Sequence, residues 1–427
     1  MNEEALAFEE ATYRKVAWRL MPLLLICYIV AYLDRVNVGF AKLQMMSQLG
    51  FTDVVYGLGA GIFFIGYFIF EVPSNIVLHK IGARVWIGRI MITWGILSAA
   101  MMYVSSPTMF YVMRFLLGVA EAGFFPGIIL YLTYWYPSHR RGHMTTVFMT
   151  GIALAGVVGG PLSGAIMKMA DGVYGWAGWQ WMFLLEGLPS VLLGVIVIAM
   201  LDDRISDAKW LTEEERALLI ERISHEEAQK EDEPVLKVLS SGRVWWMASI
   251  YFTLVMGIYG ISFWLPTLIK AMGISDPLEV GSLSAIPYGI AVVVMLVIAK
   301  SADAKRERRW HVAIPALLGS VGLILSVIWA KDTVLAMAAL TLATAGIMTT
   351  LPLFWSLPTS FLAGTGAAAG IAMINSLGNL AGFASPYLVG WLKEATASTD
   401  AGMYMLAFCL VVGALLTLLV PKEMVNK

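Results

Sequence analysis

Apolar stretches recur along the chain with a spacing and length that one physical setting explains. Runs of about 20 or more mostly apolar residues fall at roughly 18–42, 54–78, 86–104, 108–132, 143–168 and 180–201. After a polar interval a second set follows at roughly 243–271, 279–300, 311–330, 333–360, 366–392 and 399–420. At about 1.5 Å of rise per helical residue each run can cross a hydrocarbon layer of about 30 Å. The pattern predicts an all-α integral membrane protein with twelve transmembrane helices in two pseudo-symmetric bundles of six. Its units are an N-terminal bundle over 1–201, a linker over 202–242 and a C-terminal bundle over 243–427. In the linker, Thr212 and Glu215 have capping-box spacing ahead of an amphipathic run, which predicts a surface helix.

Composition agrees with the pattern. Of 427 residues, 59% are hydrophobic and 14% charged, and the mean hydropathy is +0.75, which excludes an ordinary soluble protein. A net charge of −1 gives no reason to expect nucleic acid as a partner. Basic residues sort by side, with Arg14, Lys15, Arg19, Lys80, Arg84, Arg140, Arg141, Lys305, Arg306 and Arg308 among those on the side of the termini. The positive-inside rule therefore predicts cytoplasmic termini in a multi-pass protein of the cell inner membrane. Cys27 and Cys409 lie far apart within predicted spans, and the five histidines fall at helix ends or loops, so neither a disulfide framework nor a metal site is expected.

Four ionisable residues sit inside the apolar runs: Asp34 and Arg35 in the first, Arg114 and Glu121 in the fourth. Each costs roughly 2.5–3.5 kcal/mol on insertion scales, so intramembrane charge marks a functional site. Helical rise places Asp34 and Arg35 about 24 Å from the start of their span, Arg114 about 9 Å and Glu121 about 20 Å from the start of theirs. Arg114 and Glu121 are two turns apart and share a helical face. Two guanidiniums turned toward one cavity suit a carboxylate, through paired hydrogen bonds and a charge kept at any relevant pH. Arg35 and Arg114 are thus the expected anion site. Glu121 is the better candidate for a proton carrier, and Asp34 a second carrier or a structural partner. Protonating Glu121 leaves a surplus positive charge that an incoming carboxylate satisfies, which is the reciprocity symport requires.

Two six-span halves joined by a linker fit a transporter built of repeats, with its substrate near the midplane. Paired basic turns at Lys80-Ile-Gly-Ala-Arg84 and Asp303-Ala-Lys-Arg-Glu-Arg-Arg-Trp-His311 occupy equivalent places. Particular strings go further: Tyr32-Leu-Asp-Arg-Val-Asn-Val-Gly-Phe-Ala41, Glu71-Val-Pro-Ser-Asn75, Arg114-Phe-Leu-Leu-Gly-Val-Ala-Glu-Ala-Gly-Phe-Phe-Pro-Gly127, Glu307-Arg-Arg-Trp-His-Val312 and Ile374-Asn-Ser-Leu-Gly-Asn379. Through these the whole chain resembles the major facilitator superfamily, and within it the anion:cation symporters that carry phthalate, tartrate and sugar acids. In the loop after the second span His79-Lys80 precede Gly82 where that superfamily has an Asp-Arg pair, so an acidic latch is expected at Glu71 instead. The resemblance favours Asn375, Trp355 and Tyr67 as substrate contacts. Asn379, one turn from Asn375, can hydrogen-bond the far end of a substrate.

The expected activity is proton-coupled import of a small organic anion by alternating access. Candidate substrates are a hydroxycarboxylate such as tartrate, an aromatic carboxylate or a sugar acid. Phe64, Tyr67, Met149, Ile152, Met256 and Trp355 lean toward the first two. An anion exchanger, a sodium-coupled carrier and a receptor on a transporter fold are the alternatives. The expected partners are the substrate and the bilayer, the expected state a monomer, and the proton is the coupling ion with no other cofactor. Without a phosphate loop, a metal-spaced cluster or a nucleophile beside a base, an enzyme is not expected.

Overall fold

In the computed structural model, which describes residues 3–228, 237, 240–360 and 364–425, the described elements are helices joined by short connections. The first half contains α1 (Glu3–Val36), α2 (Val38–Leu49), α3 (Asp53–Ile81), α4 (Ala83–Ala100), α5 (Pro107–Glu121), α6 (Phe124–Thr133), α7 (Ser138–Met149), α8 (Gly151–Met169) and α9 (Gly178–Met200). The linker helix α10 (Glu213–Ala228) follows. Thr212 caps it as the spacing predicts: Thr212 N donates to Glu215 Oε2 at 2.8 Å and Glu215 N to Thr212 Oγ1 at 3.2 Å. The second half contains α11 (Gly242–Ala271), α12 (Pro277–Lys305), α13 (Arg309–Ile328), α14 (Thr333–Trp355), α15 (Gly364–Thr396) and α16 (Asp400–Leu418).

Among the described residues, eleven helical stretches are long and apolar enough to cross a membrane. The 33-residue α15 completes the expected twelve. Chain reversal at each loop brings both termini to one end of the bundle, called here the terminal end; the other is the distal end. Exposed apolar side chains such as Val293, Leu296, Val297, Phe408 and Leu415 form a surface suited to lipid.

Three spans are not the continuous helices that hydropathy suggests. The first breaks at Asn37 between α1 and α2, and the fifth at Thr150 between α7 and α8. The fourth breaks after Glu121, where Gly123 takes φ +86° with the Ser74 side chain packed against it. Only glycine fits there, because a β-carbon would meet both a left-handed backbone and the Ser74 hydroxyl.

The halves meet along α8–α12 and along α3–α15. Exchanging the halves maps the fifth and eighth spans onto the eleventh and second, so the two seams are equivalent by pseudo-symmetry. Small residues set their closeness. A β-carbon on Gly57 would lie 2.5 Å from the Pro386 carbonyl oxygen, and one on Gly160 2.5 Å from that of Gly281. Gly156 receives the ring of Tyr288.

The distal end is sealed by polar contacts between the halves. Lys42 Nζ, on a residue only 5% exposed, lies 2.8 Å from Asp53 Oδ1 and 3.5 Å from the centroid of the Trp264 ring. Lys393 Nζ reaches the same Asp53 oxygen at 3.1 Å. Lys270 Nζ donates to the Leu43 carbonyl at 2.8 Å. Nearby, Lys168 pairs with Asp276 and holds its carboxyl below the usual range. At the terminal end α10 is tied to the first half by Lys15–Glu215 at 2.7 Å and Arg222–Glu9 at 2.8 Å.

Candidate functional site

Between the two ends lies a cavity lined by side chains of both halves, Arg35, Tyr67, Tyr259, Asn375 and Asn379 among them. Its volume is about 40 Å³, room for a few water molecules. An organic acid does not fit without movement, so this state is closed around the site.

Arg35 is the cation of this cavity, and its surroundings are aromatic. Its guanidinium carbon lies 5.4 Å from the ring centroid of Phe63, 5.5 Å from that of Tyr67 and 5.7 Å from that of Tyr32. Ring faces stabilise a partly desolvated guanidinium. Nη1 donates to the Tyr259 hydroxyl at 3.1 Å, and Nη2 pairs with Glu121 Oε1. Arg35 Nε and Glu121 Oε2 are buried without a hydrogen-bond partner. The pair is therefore only half engaged, and a second acceptor can be satisfied at Arg35.

Arg114 is placed differently from the two-armed clamp that depth suggests. It is fully buried, does not line the cavity, and donates to the carbonyls of Gly59 at 3.2 Å and of Arg35 and Ala60 at 3.3 Å. The close packing of α5 on α3 brings it there: Gly118 lies against the Phe63 carbonyl, and a β-carbon on Gly66 would stand 2.5 Å from the Phe115 carbonyl. Arg114 thus holds the backbone of Arg35, and it does not meet a cavity ligand in this state.

Asp34 does not pair with Arg35 either. Successive helical residues point about 100° apart, and Asp34 turns into the first half. There Trp94 Nε1 donates to its Oδ2 at 2.8 Å, Ser98 Oγ to its Oδ1 at 2.9 Å and Ser190 Oγ to its Oδ2 at 2.6 Å.

Glu71, the expected latch, joins the halves. Asn375 Nδ2 donates to its Oε1 at 2.9 Å, while Ser376 Oγ and Asn379 Nδ2 both donate to its Oε2 at 3.2 Å. Both asparagines border the cavity while bound to Glu71, so latch and substrate contact share the same amides. At the loop after the second span Asp203 supplies an acid, accepting from Arg84 N at 2.8 Å. Tyr67, Met149 and Ile152 line the cavity. Phe64 and Met256 lie outside its lining, and Trp355 packs behind Tyr251 with ring centroids 5.0 Å apart.

Tyr259 is the partner that charge alone does not reveal. It lies three residues before Ser262, and the two meet Arg35 and Tyr32 of the first half, Ser262 at 2.9 Å from the Tyr32 hydroxyl. Polar residues on one face of an otherwise apolar helix are the available signal.

Hydrogen bonds to a charged acceptor contribute about 1.5–3 kcal/mol each. Glu71→Ala removes three donor partners, so the terminal end is expected to open at least about tenfold more often. Labelling of a cysteine placed at Met149 by a thiol reagent applied from that end measures this, and an unchanged rate refutes the latch.

The pattern of the Major Facilitator Superfamily matches residues 24–386. The chain belongs to that superfamily. It is 45% identical over 420 residues to "Putative metabolite transport protein NicT" of Pseudomonas putida, covering 98% of this chain and 96% of that one. It is 49% identical over 416 residues to "Putative tartrate transporter" of Agrobacterium vitis, covering 97% and 95%. The crystal structure of a D-xylose-proton symporter superposes with a TM-score of 0.76 at 14% identity, covering 96% of this chain and 99% of that one. That likeness shows the fold alone. This major facilitator protein is a membrane transporter.

Proposed function

We propose that this transporter imports a small organic anion together with a proton, by alternating access across the inner membrane with both termini cytoplasmic. One observation carries the reading: the cavity's guanidinium, Arg35, is held by a carboxylate that can be neutralised, Glu121. With Glu121 ionised, the pair is internally satisfied and a substrate carboxylate must compete for the guanidinium. With Glu121 protonated, Arg35 is an uncompensated cation beside Tyr259, and a carboxylate restores neutrality. Proton and anion therefore favour each other's binding.

Arg114 serves as a positioning residue for Arg35 and keeps positive charge near Glu121. Asp34 is a second proton site or a fixed support of α1. Asn375 and Asn379 exchange Glu71 for the polar end of the substrate, which couples occupancy to release of the latch. Tyr67 and the other tyrosines, with Trp355 behind them, favour a short hydroxycarboxylate or an aromatic acid. The name of the Agrobacterium vitis relative makes tartrate the first substrate to try.

Purified protein in liposomes, given a panel of carboxylates with and without a pH gradient, tests this. Accumulation above the outside concentration is expected only when the compartment supplying substrate is the more acidic. Uptake indifferent to the gradient refutes proton coupling, and uptake of no carboxylate refutes the substrate class.

A further inference from the structure

Glu186, on α9, takes no part in the scheme above, yet it is an acid buried to 2% exposure. Ser163 Oγ donates to its Oε1 at 2.7 Å and Asn37 Nδ2 to its Oε2 at 3.0 Å. No cation pairs with it among the described residues. Ser190, one turn further along α9, donates to Asp34, and Asn37, three residues after Asp34, donates to Glu186, so the two acids are neighbours across the first span and α9. Asp34 is likewise held by neutral donors alone. Of the titratable groups on the packed helices α1, α2, α4 and α8, Asp34 is the one that bears on Glu186. Two buried carboxyls with no countercharge need protons to balance them.

The surroundings provide both a route and a receptor. Asn37 and Ser163 line a second, smaller cavity on the distal side of the central one, together with Tyr32, Ser262, Ser284 and Tyr288. Tyr32 borders both cavities, and its hydrogen bond to Ser262 stands between them. Glu186 is therefore one hydrogen-bonded layer from a small, mostly apolar cavity whose polar edge includes Asn37 and Ser163, at the seam that opens when the distal end parts. Asn37 is buried to 2% exposure, and its Oδ1 has no partner. The amide as placed donates to an ionised Glu186. Turned over, it offers Oδ1 to the hydroxyl of a protonated one. One side chain thus accommodates both protonation states.

We propose that Glu186 is a second proton-binding site of this transporter, reached from the distal cavity through Asn37 and Ser163 and linked electrostatically to Asp34. The inference rests on the proton-coupled reading above. On it, the acids Glu186, Asp34 and Glu121 form a series from the distal cavity to the central one, with Arg35 at its inner end.

The test is the proton-to-substrate ratio, read from the substrate gradient that just balances an imposed pH gradient in liposomes, for wild type and Glu186→Gln. The glutamine keeps shape and hydrogen bonding and cannot carry the proton. Counterflow exchange is expected to persist, while accumulation supported by one pH unit falls about tenfold, one proton's share. Glu186→Asp is expected to restore the wild-type ratio. A Glu186→Gln ratio equal to wild type, with wild type itself proton-driven, overturns this inference alone. A wild type that ignores the gradient overturns the proton-coupled reading and this inference together. Where Glu186→Gln does not fold, the infrared carbonyl band of protonated carboxyls is followed against pH in wild type and in Asn37→Val. A band that shifts on loss of the amide supports the site, and an unshifted band refutes it.

Discussion

Glu121→Gln is expected to abolish accumulation driven by a pH gradient while leaving counterflow exchange in place. One pH unit supports up to about tenfold accumulation per coupled proton, about 1.4 kcal/mol. The variant should fall to unity, because in the series proposed above Glu186 and Asp34 act on the anion only through Glu121 beside Arg35. Glutamine has the volume of the protonated acid and leaves Arg35 uncompensated, so anion binding persists and loses its dependence on pH. Arg35→Ala is expected to remove exchange and accumulation together. It also strands Glu121, fully buried and facing Arg35, and stranding one partner of a buried ion pair costs about 3–5 kcal/mol. The double variant Arg35→Gln with Glu121→Gln strands no charge. It should recover thermal stability lost in Arg35→Ala while remaining inactive, which separates anion binding from folding. A Glu121→Gln protein that still concentrates substrate against its gradient would sink the assignment of Glu121 as carrier.

Much of this site is legible as charge inside apolar runs. Arg35 and Glu121 stand out that way, and the structure brings them together across α1 and α5. Counted from opposite faces, as the first and fourth spans run, the depths of Arg35 and Arg114 put both in one layer, but depth says nothing about azimuth. Which way Arg114 turns is decided by the glycines that let α5 settle onto α3, a property of two helices that neither run displays alone. Asp34 and Arg35 are neighbours in the chain and diverge because a helix separates successive side chains by about 100°. Glu71 was legible as a gate residue, whereas its partners, two amides some 300 positions away, were read as substrate contacts. Neutral side chains carry no cost signature in a hydropathy pattern, so Tyr259 and Ser262 emerge only when the halves are set against each other. The same holds for Lys42. It reads as a loop charge near a membrane surface, yet the second half covers it with Trp264.

That covering makes the distal seal testable. Gly281→Val is expected to hold the distal end open and reduce transport to background. In the closed state the backbones of α8 and α12 touch, and a β-carbon on Gly281 would overlap the Gly160 carbonyl oxygen. Valine does not disfavour the helix relative to glycine, so α12 itself forms and the conflict falls on the seam. Overpacking against side chains costs about 1–3 kcal/mol, and here the obstacle is backbone, which cannot rotate away. A shift of that size changes the ratio of open to closed states about tenfold to a hundredfold. At the same end the ion contact of Asp53 with Lys393 joins the halves and separates with them, whereas that with Lys42 lies within the first half. A cysteine at Ser284, which lines the small distal cavity, reports the change in a background where Cys27 and Cys409 are replaced. Labelling by a membrane-impermeant thiol reagent applied from the distal side should rise by at least about tenfold in Gly281→Val. Asp53→Asn, which weakens only the polar cluster, should produce a smaller rise with residual transport. If Gly281→Val transports at the wild-type rate, the seam does not close as tightly as the α8–α12 contact implies, and alternating access does not depend on it.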